Sequence, residues 1–412
     1  MTPITNPTKV LLVGYNGANN TGSEARLLAI IDDVRAVLGE DTEITIPSLN
    51  AANLRRYIQE SATLKIAPIP AVFFSAIKRL VKESDLVALV EGSCYMDTWT
   101  SALLWAFLWA TRCAHAEGKP CISYAVDAGR LSKLNRWLVK REASKTDLIV
   151  MRNKASAGLL RSWDVTAPVE VTADTAFSFD VEQRDAGMLN RLWPGETGVV
   201  GLAPVDFYQW PVVIRLWGKA ADCYRWPYYF SRSEDRRKAA EALAQSLAAE
   251  ADRMIVQYGK RVALIGMEGL DKPICDSIHA HMAYPEAAKV FSSLDYNASQ
   301  MTSLLRSLDL LISSRYHAAV LSMAASVPLV AVAHDLRLRH LFDEAGLLDY
   351  FMEYTDPELF KKISASVDRL LVDPAPARSS IYESYNEQKE DAHRNKYLLR
   401  EVALNHGLRV ML

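Results

Sequence analysis

Arg315 and His317 stand two residues apart in LDLLISSRYHAAVLSMAASVPLVAVAHD, residues 308–335. An arginine offers a planar fork of N–H donors matched to carboxylate or phosphate, and a histidine can hold or release a proton near neutrality. Together they suit anion binding with a titratable partner. Leu308 to Ile312 is a short apolar run of strand length and Ala318 to Ala325 is small and helix-forming, so the stretch predicts strand, turn, helix and second strand. Both residues then lie in the first turn of a helix just past a strand end, where ligands collect in open α/β sheets and where unpaired N–H groups favour an anion. The plainer alternative is a solvated first-turn arginine beside a structural histidine.

Other strand ends carry residues of the same kinds. Lys9 to Tyr15 reads as a buried strand, followed by a loop with Gly14, Gly17 and Gly22 and a helix from Ser23 to Leu38. This is neither a GxGxxG nor a Walker sequence, and it fits a ligand loop or simply a tight turn. Leu86 to Val90 runs into Glu91-Gly92-Ser93 and then Asp97, Leu148 to Met151 ends at Arg152, and Val169 to Thr172 ends at Asp174. Glu43 to Ile46 and Pro120 to Val126 are further strands, with helices expected over Asn50 to Glu60 and Lys133 to Ser144. Alternating strands and helices predict a doubly wound parallel sheet.

A chain of 412 residues exceeds the usual limit of a single core, so more than one domain is expected. Asn190 to Gly198, with Pro194, Gly195 and Gly198, breaks the alternation. The expected organisation is a first Rossmann-like α/β domain over residues 1–189, a second over 190–376, and a C-terminal helix over 377–412 that packs across both. Strands at Val199 to Leu202 and Arg261 to Ile265 flank a helix from Asp235 to Tyr258. Between them, Phe207 to Arg232 interleaves Trp210, Trp217, Trp226, Tyr228, Tyr229 and Phe230 with Arg215, Lys219, Arg225 and Arg232. Such a segment suits a lid, a carbohydrate-stacking surface or a membrane-touching loop, and equally a hydrophobic cluster under a long loop.

Composition narrows the function classes. Half the residues are hydrophobic and 23% charged, with a formal charge of −2, which gives no electrostatic reason to expect nucleic acid. Five cysteines without paired spacing suit reduced thiols in a cytoplasmic protein, and Cys113, His115 and Cys121 do not have the spacing of a zinc site, so no metal is expected. MTPITNPTKV has no apolar segment of the signal-peptide kind, and Leu103 to Ala110 is far short of a membrane span.

These residues resemble the polysaccharide pyruvyl transferase family. GYNGANNTGSEARL is similar to the family's N-terminal strand-loop-helix with its Asn-x-Gly-Asp/Ser-Glu core, here Asn20, Gly22, Ser23 and Glu24. EGSCYMD resembles a Gly-Gly-Ser stretch ending in Asp, with Glu91 in place of the first glycine. DLIVMRN resembles the segment ending in Arg152, VTADTAF the strand end at Asp174, and SSRYHAAVLSMAASVPLVAVAHD the Ser-Arg-x-His signature followed by Gly-Val-Pro. Departures are YAVDAGRL, which lacks a Gly-Ile-Gly-Pro run, Ser326 where the glycine precedes Val-Pro, and His334 and Arg337 where Tyr and Lys are common.

The resemblance implies a fold like that of the GT-B glycosyltransferases, two Rossmann-like domains facing a cleft. It also implies a reaction in which phosphoenolpyruvate gives its carbon skeleton to two hydroxyls of a sugar, forming a ketal and phosphate in cell-surface glycan synthesis. No cofactor beyond phosphoenolpyruvate as co-substrate is expected. Arg152, Arg315 and Arg337 would meet its carboxylate and phosphate, and His317 would protonate its methylene carbon. Asp97, with Glu91 and Asp174 as alternatives, would act as base or orient the sugar, while Asn20, Gly22, Glu24, Gly92, Ser93 and Ser314 would line the substrates. A lipid-linked acceptor and peripheral contact with a membrane, at its inner face, are open. The rival readings are a GT-B glycosyltransferase using a nucleotide sugar and a non-catalytic family member serving as a binding subunit.

Overall fold

The computed structural model describes residues 7–98, 100–195, 198–209, 212–219, 226, 228–230, 233–333 and 336–411. It divides into two compact units. One comprises the residues up to Ala18, Ser23–Phe179 and the C-terminal residues from Gln388; the other comprises Asn19–Gly22 and Asp180–Glu387.

The first unit is built on seven strands: β1 (Lys9–Val13), β2 (Glu43–Ser48), β3 (Leu64–Pro68), β4 (Leu86–Leu89), β5 (Cys121–Val126), β6 (Leu148–Met151) and β7 (Val169–Val171). Their order is β3-β2-β1-β4-β5-β6-β7, all parallel. Parallel strands need crossovers, and helices supply them on both faces, so the strands read as unbroken apolar runs. Along β1, Leu11 and Val13 pack on one side with Phe107 and Val139, while Val10 and Leu12 pack on the other with Leu27, Ile30 and, from the C-terminal helix, Leu399.

The second unit begins with β8 (Val199–Ala203) and a small antiparallel hairpin, β9 (Val212–Ile214) and β10 (Tyr228–Phe230). It continues with β11 (Arg261–Gly266), β12 (Ala288–Ser292), β13 (Leu310–Ser313), β14 (Leu329–Ala333) and β15 (Phe351–Glu353). The main sheet runs β12-β11-β8-β13-β14-β15, again parallel. In both sheets the order reverses beside the first strand, between β1 and β4 and between β8 and β13. Those are the switch points at which such folds open a crevice beyond the strand ends.

The contact-defined break falls at Phe179/Asp180, before the Pro-Gly stretch at 194–198. Residues 182–192 are tied to the helix Ala298–Leu305 of the second unit, Glu182 N donating to Ser299 Oγ at 2.9 Å and Ser303 Oγ donating to Asp185 O at 2.7 Å. The C-terminal helix starts earlier than expected, at Ala375, and runs unbroken to Asn405. Its residues to Glu387 group with the second unit and those from Gln388 with the first.

One further expectation is corrected. Only Ala51–Leu54 of the Asn50 to Glu60 segment is helical. Glu60 instead accepts from Ile66 N at 3.0 Å and holds β3, an edge strand. Of the aromatic-basic segment, Trp210, Pro211, Arg225, Pro227 and Arg232 lie outside the described residues, as do His334 and Cys223. Trp217 and Trp226 are exposed, and Arg215 reaches across the hairpin to Phe230 O at 2.7 Å.

Ser326 has φ +51°, in the left-handed region that disfavours a side chain. This gives a backbone reason for a glycine before Val-Pro. Ser326→Gly is expected to raise stability by about 1 kcal/mol in urea unfolding. A second test uses Asp33, which accepts from Tyr124 Oη at 2.9 Å and whose carboxyl is pushed by burial up to about 6. The folded chain therefore holds a proton that the unfolded chain releases, and stability falls as pH rises from about 4 to about 6. Asp33→Asn should flatten that slope in urea titrations across the same window.

Candidate functional site

In the first unit the strand ends converge on four buried charges of alternating sign. Arg152 follows β6 and donates from Nη1 to Asp174 Oδ2 at 2.6 Å and from Nη2 to Asp127 Oδ2 at 2.7 Å. Arg26, in the first turns of the helix Thr21–Leu38, donates from Nη1 to Asp174 Oδ1 at 2.6 Å and from Nη2 to Ala125 O at 2.9 Å. Asp127 also accepts from Asn153 Nδ2 and from Ser156 Oγ at the head of the helix Lys154–Ser162. Both arginine side chains are 1% exposed, Asp127 2% and Asp174 0%.

Arg152 is thus committed to two carboxylates. Expected at a substrate anion, Arg152 in this geometry ties the ends of β5, β6 and β7 to one another. Asp174 likewise gives both oxygens to arginines, and one also accepts from Ala176 N at 2.9 Å. Gly92 leaves room for this arrangement, because a Cβ there would lie 2.8 Å from Arg152 Nη1.

Beside this quartet, at the switch point after β1 and β4, Glu91 gathers donors. Its Oε2 accepts from Tyr15 N at 3.3 Å and Ser23 Oγ at 3.4 Å, and its Oε1 from Ser93 Oγ at 3.3 Å. Glu24 is buried one residue beyond Ser23, and Tyr57 is pushed well up by burial and then by the Glu24 charge. Asp97 lies apart from this group. Its Oδ2 accepts from Ser132 N and Asn135 Nδ2, each at 2.8 Å, so it anchors the start of the helix Lys133–Ala143.

The second unit has its own cluster. Ser313 Oγ accepts from Arg315 N and donates to Arg315 O, which fixes the turn from β13 into the helix Tyr316–Met323. The Arg315 side chain forks onto Asp271, Nε donating to Oδ2 at 2.8 Å and Nη2 to Oδ1, while Nη1 meets Glu268 Oε2 at 3.1 Å. Burial pushes the Asp271 carboxyl above its ordinary range and Arg315 pulls it back. Glu268 and Asp271 follow β11 and cap one another's backbone. Arg315, expected to be open to an anion, is here clasped by two carboxylates.

Residues Asn19–Gly22 complete this cluster. Thr21 N donates to Met267 O at 2.8 Å, Ser293 Oγ to Asn19 O at 2.7 Å, and Asn20 Nδ2 to Glu268 Oε2 at 3.4 Å. Gly22 faces the imidazole of His317, and a Cβ at Gly22 would lie 2.1 Å from its Nδ1. No side chain fits at Gly22 while the ring stays where it is. Ser314 points elsewhere, lining a small apolar pocket with Ala203, Val205, Phe207 and Val332. Arg337 is half-buried at the second residue of the helix Leu336–Glu344.

The sequence profile described as polysaccharide pyruvyl transferase matches residues 20–335, from Asn20 through His317 and beyond. The chain belongs to the polysaccharide pyruvyl transferase family. Membership makes it a transferase, and the matched range includes Asn20, Gly22, Glu24, Ser314, Arg315 and His317. No curated protein sequence matches the chain. Among solved structures it is similar to S. aureus MnaA with UDP, at TM-score 0.63 and 10% identity over 97% of both chains. It is also similar to UDP-GlcNAc 2-epimerase from Methanocaldococcus jannaschii, at 0.61 and 10% over 96% of this chain and 99% of that one. HepE of Anabaena in complex with UDP gives 0.59 and 13% over 97% and 100%. At these identities the likeness shows the fold, a GT-B-like pair of Rossmann-like domains.

Arg26, Asp127, Glu268 and Asp271 escaped the sequence reading. Asp127 and Glu268 follow strands, as Arg152 does, and the same strand-end rule would have found them. Arg26 sits among apolar helix residues with nothing local to mark its burial. No group of three or more His, Cys, Asp or Glu positioned to hold a metal occurs among the described residues.

Breaking the quartet leaves buried charge uncompensated. Arg152→Ala should lose about 3–5 kcal/mol in urea unfolding, with Arg152→Lys recovering only part because an ammonium cannot bridge both carboxylates. Wild-type stability in Arg152→Ala, with only ligand binding lost, would return Arg152 to the substrate.

Proposed function

We propose that the protein transfers the pyruvyl group of phosphoenolpyruvate to two hydroxyls of one sugar in a glycan or glycoconjugate. The observation that carries this reading is the family match over residues 20–335, within which Gly22 and His317 lie in direct contact. His317 gives a proton to the methylene carbon, which becomes a methyl group, and positive character develops at C2. One sugar oxygen bonds to C2, the second displaces phosphate as the C2–O bond breaks, and a cyclic ketal results. Of the two hydroxyl protons, one replaces that spent by His317 and the other leaves with phosphate.

With Arg152 and Arg315 both held by carboxylates, the donor's charge is met by other groups. Backbone N–H groups opening the helix Tyr316–Met323 and the side chain of Arg337 take the phosphate and carboxylate in this reading. Arg315 is a positioning residue that sets the turn carrying His317. Glu91, ringed by Tyr15, Ser23 and Ser93, is preferred to Asp97 as the sugar's base or orienting group, because Asp97 already holds a helix start. Asn20, which donates to Glu268 beside Arg315, helps to shape the surroundings of His317.

A second reading, a nucleotide-sugar enzyme, is favoured by the UDP bound in MnaA and in HepE. Thermal unfolding with phosphoenolpyruvate, phosphate and UDP-glucose separates the two. Phosphoenolpyruvate should raise the melting temperature of wild type and of His317→Asn, and Arg337→Ala should weaken the rise. A rise with UDP-glucose alone would replace the pyruvyl reading. Once an acceptor is found, His317→Asn should slow transfer by about 10²–10⁴ with donor binding retained. Gly22→Ala, which pushes the ring aside, should slow it by about 10².

A further inference from the structure

The helix Lys133–Ala143 presents an outer face that the reaction does not use. At 100° per residue, Arg136, Lys140, Lys133, Trp137, Arg141 and Leu134 fall in that order around one exposed arc. Asn135, Val139, Glu142 and Ala143 fill the opposite arc and are buried. Leu134 is 62% exposed and Trp137 54%. From Arg130 to Lys145 there are six cationic residues (Arg130, Lys133, Arg136, Lys140, Arg141 and Lys145) against one carboxylate within the stretch, Glu142. The whole chain carries a formal charge of −2, so this density is local.

Few carboxylates answer it. Glu142 is buried and receives Arg112, Arg141 and Lys145, and the exposed Asp164 meets Lys140 at 2.9 Å. The helix Phe74–Lys82 and the turn before it expose Phe74 and Val72, at 41% and 62%, with Lys78 and Arg79 on the same helix. Both helices pack on Ser101–Ala116, Trp105 Nε1 donating to Asn135 Oδ1 at 2.9 Å and Trp109 Nε1 to Phe74 O at 2.8 Å.

We propose that this face docks the protein on a bilayer bearing anionic lipid headgroups. Cations at the headgroup level with an exposed tryptophan and leucine between them match both layers of such a surface, charge outside and apolar phase beneath. A soluble polyanion would be served by the cations and leave Leu134 and Trp137 in water. No helix among the described residues is long and apolar enough to cross a membrane, so the contact proposed is one that lies on the surface. The hairpin β9–β10 also exposes tryptophans, but much of its basic complement lies outside the described residues.

The test is co-sedimentation of the full chain with vesicles of phosphatidylcholine alone and of phosphatidylcholine with phosphatidylglycerol in equal parts. Wild type should bind only the second, and less as salt rises. Lys133→Glu with Lys140→Glu should weaken binding about twentyfold or more, at about fivefold per cation. Leu134→Ser with Trp137→Ser should also weaken it, and since all four side chains are exposed the unfolding curves should match wild type. Trp217→Ala with Trp226→Ala should leave it intact. Absence of wild-type binding overturns the proposal. So does binding that survives both helix variants, binding lost only in the hairpin variant, or capture by soluble polyglutamate with vesicle binding indifferent to Leu134 and Trp137.

Discussion

Four buried charges, Arg26, Asp174, Arg152 and Asp127, alternate in sign where the first sheet ends. Each has left water at a cost that only its partners offset, so the set is stable complete and poor in any subset. That constraint reaches outward. It demands a residue without a side chain at Gly92, a carbonyl turned toward Arg26 from Ala125, whose φ is +51°, and a serine and asparagine opening the helix after Arg152. The loop carrying Glu91 and Ser93 is thereby laid against a fixed wall.

The second unit solves a similar problem with a different clasp. Arg315 is drawn away from its own helix start by Asp271 and Glu268, which are in turn locked to each other's backbone. In both units an arginine that follows a strand serves as a strut. A guanidinium suits this better than an ammonium, because its fork satisfies two acceptors in one plane while remaining charged. Arg152 lies against Gly92, the residue after Glu91, while the turn at Arg315 leads into the helix that carries His317.

Much of this was legible in the sequence and some was not, for definite reasons. The strand-end positions of Arg152, Asp174, Arg315 and His317 followed from apolar runs ending in polar residues, and the two parallel sheets from their alternation with helices. Pairing was not legible, because the carboxylates that neutralise Arg152 and Arg315 lie on other strands: Asp127 is 25 residues away and Asp271 is 44. Arg26 was hidden by its apolar neighbours. Among the strands of the two main sheets, the three that the apolar runs do not mark, β3, β12 and β15, are all sheet edges, with a half-exposed face that interrupts the run. In Asn50 to Glu60 the helical spacing extends beyond the helix itself, which ends at Leu54, and Glu60 serves a neighbouring strand instead.

Residues Asn19–Gly22 lie early in the chain yet pack among residues far along it, Asn20 meeting Glu268 across 248 positions. Contacts of such separation form late, since a long loop must close before they reward the chain. At the usual pace of synthesis, about 5–20 residues per second, Asn20 leaves the ribosome roughly 12–50 s before its partner exists. The nascent first sheet must therefore keep this short segment unfinished and accessible. Assembly of the histidine's surroundings waits until the chain has been made beyond His317, and neither half of the sequence excised alone contains all that it requires.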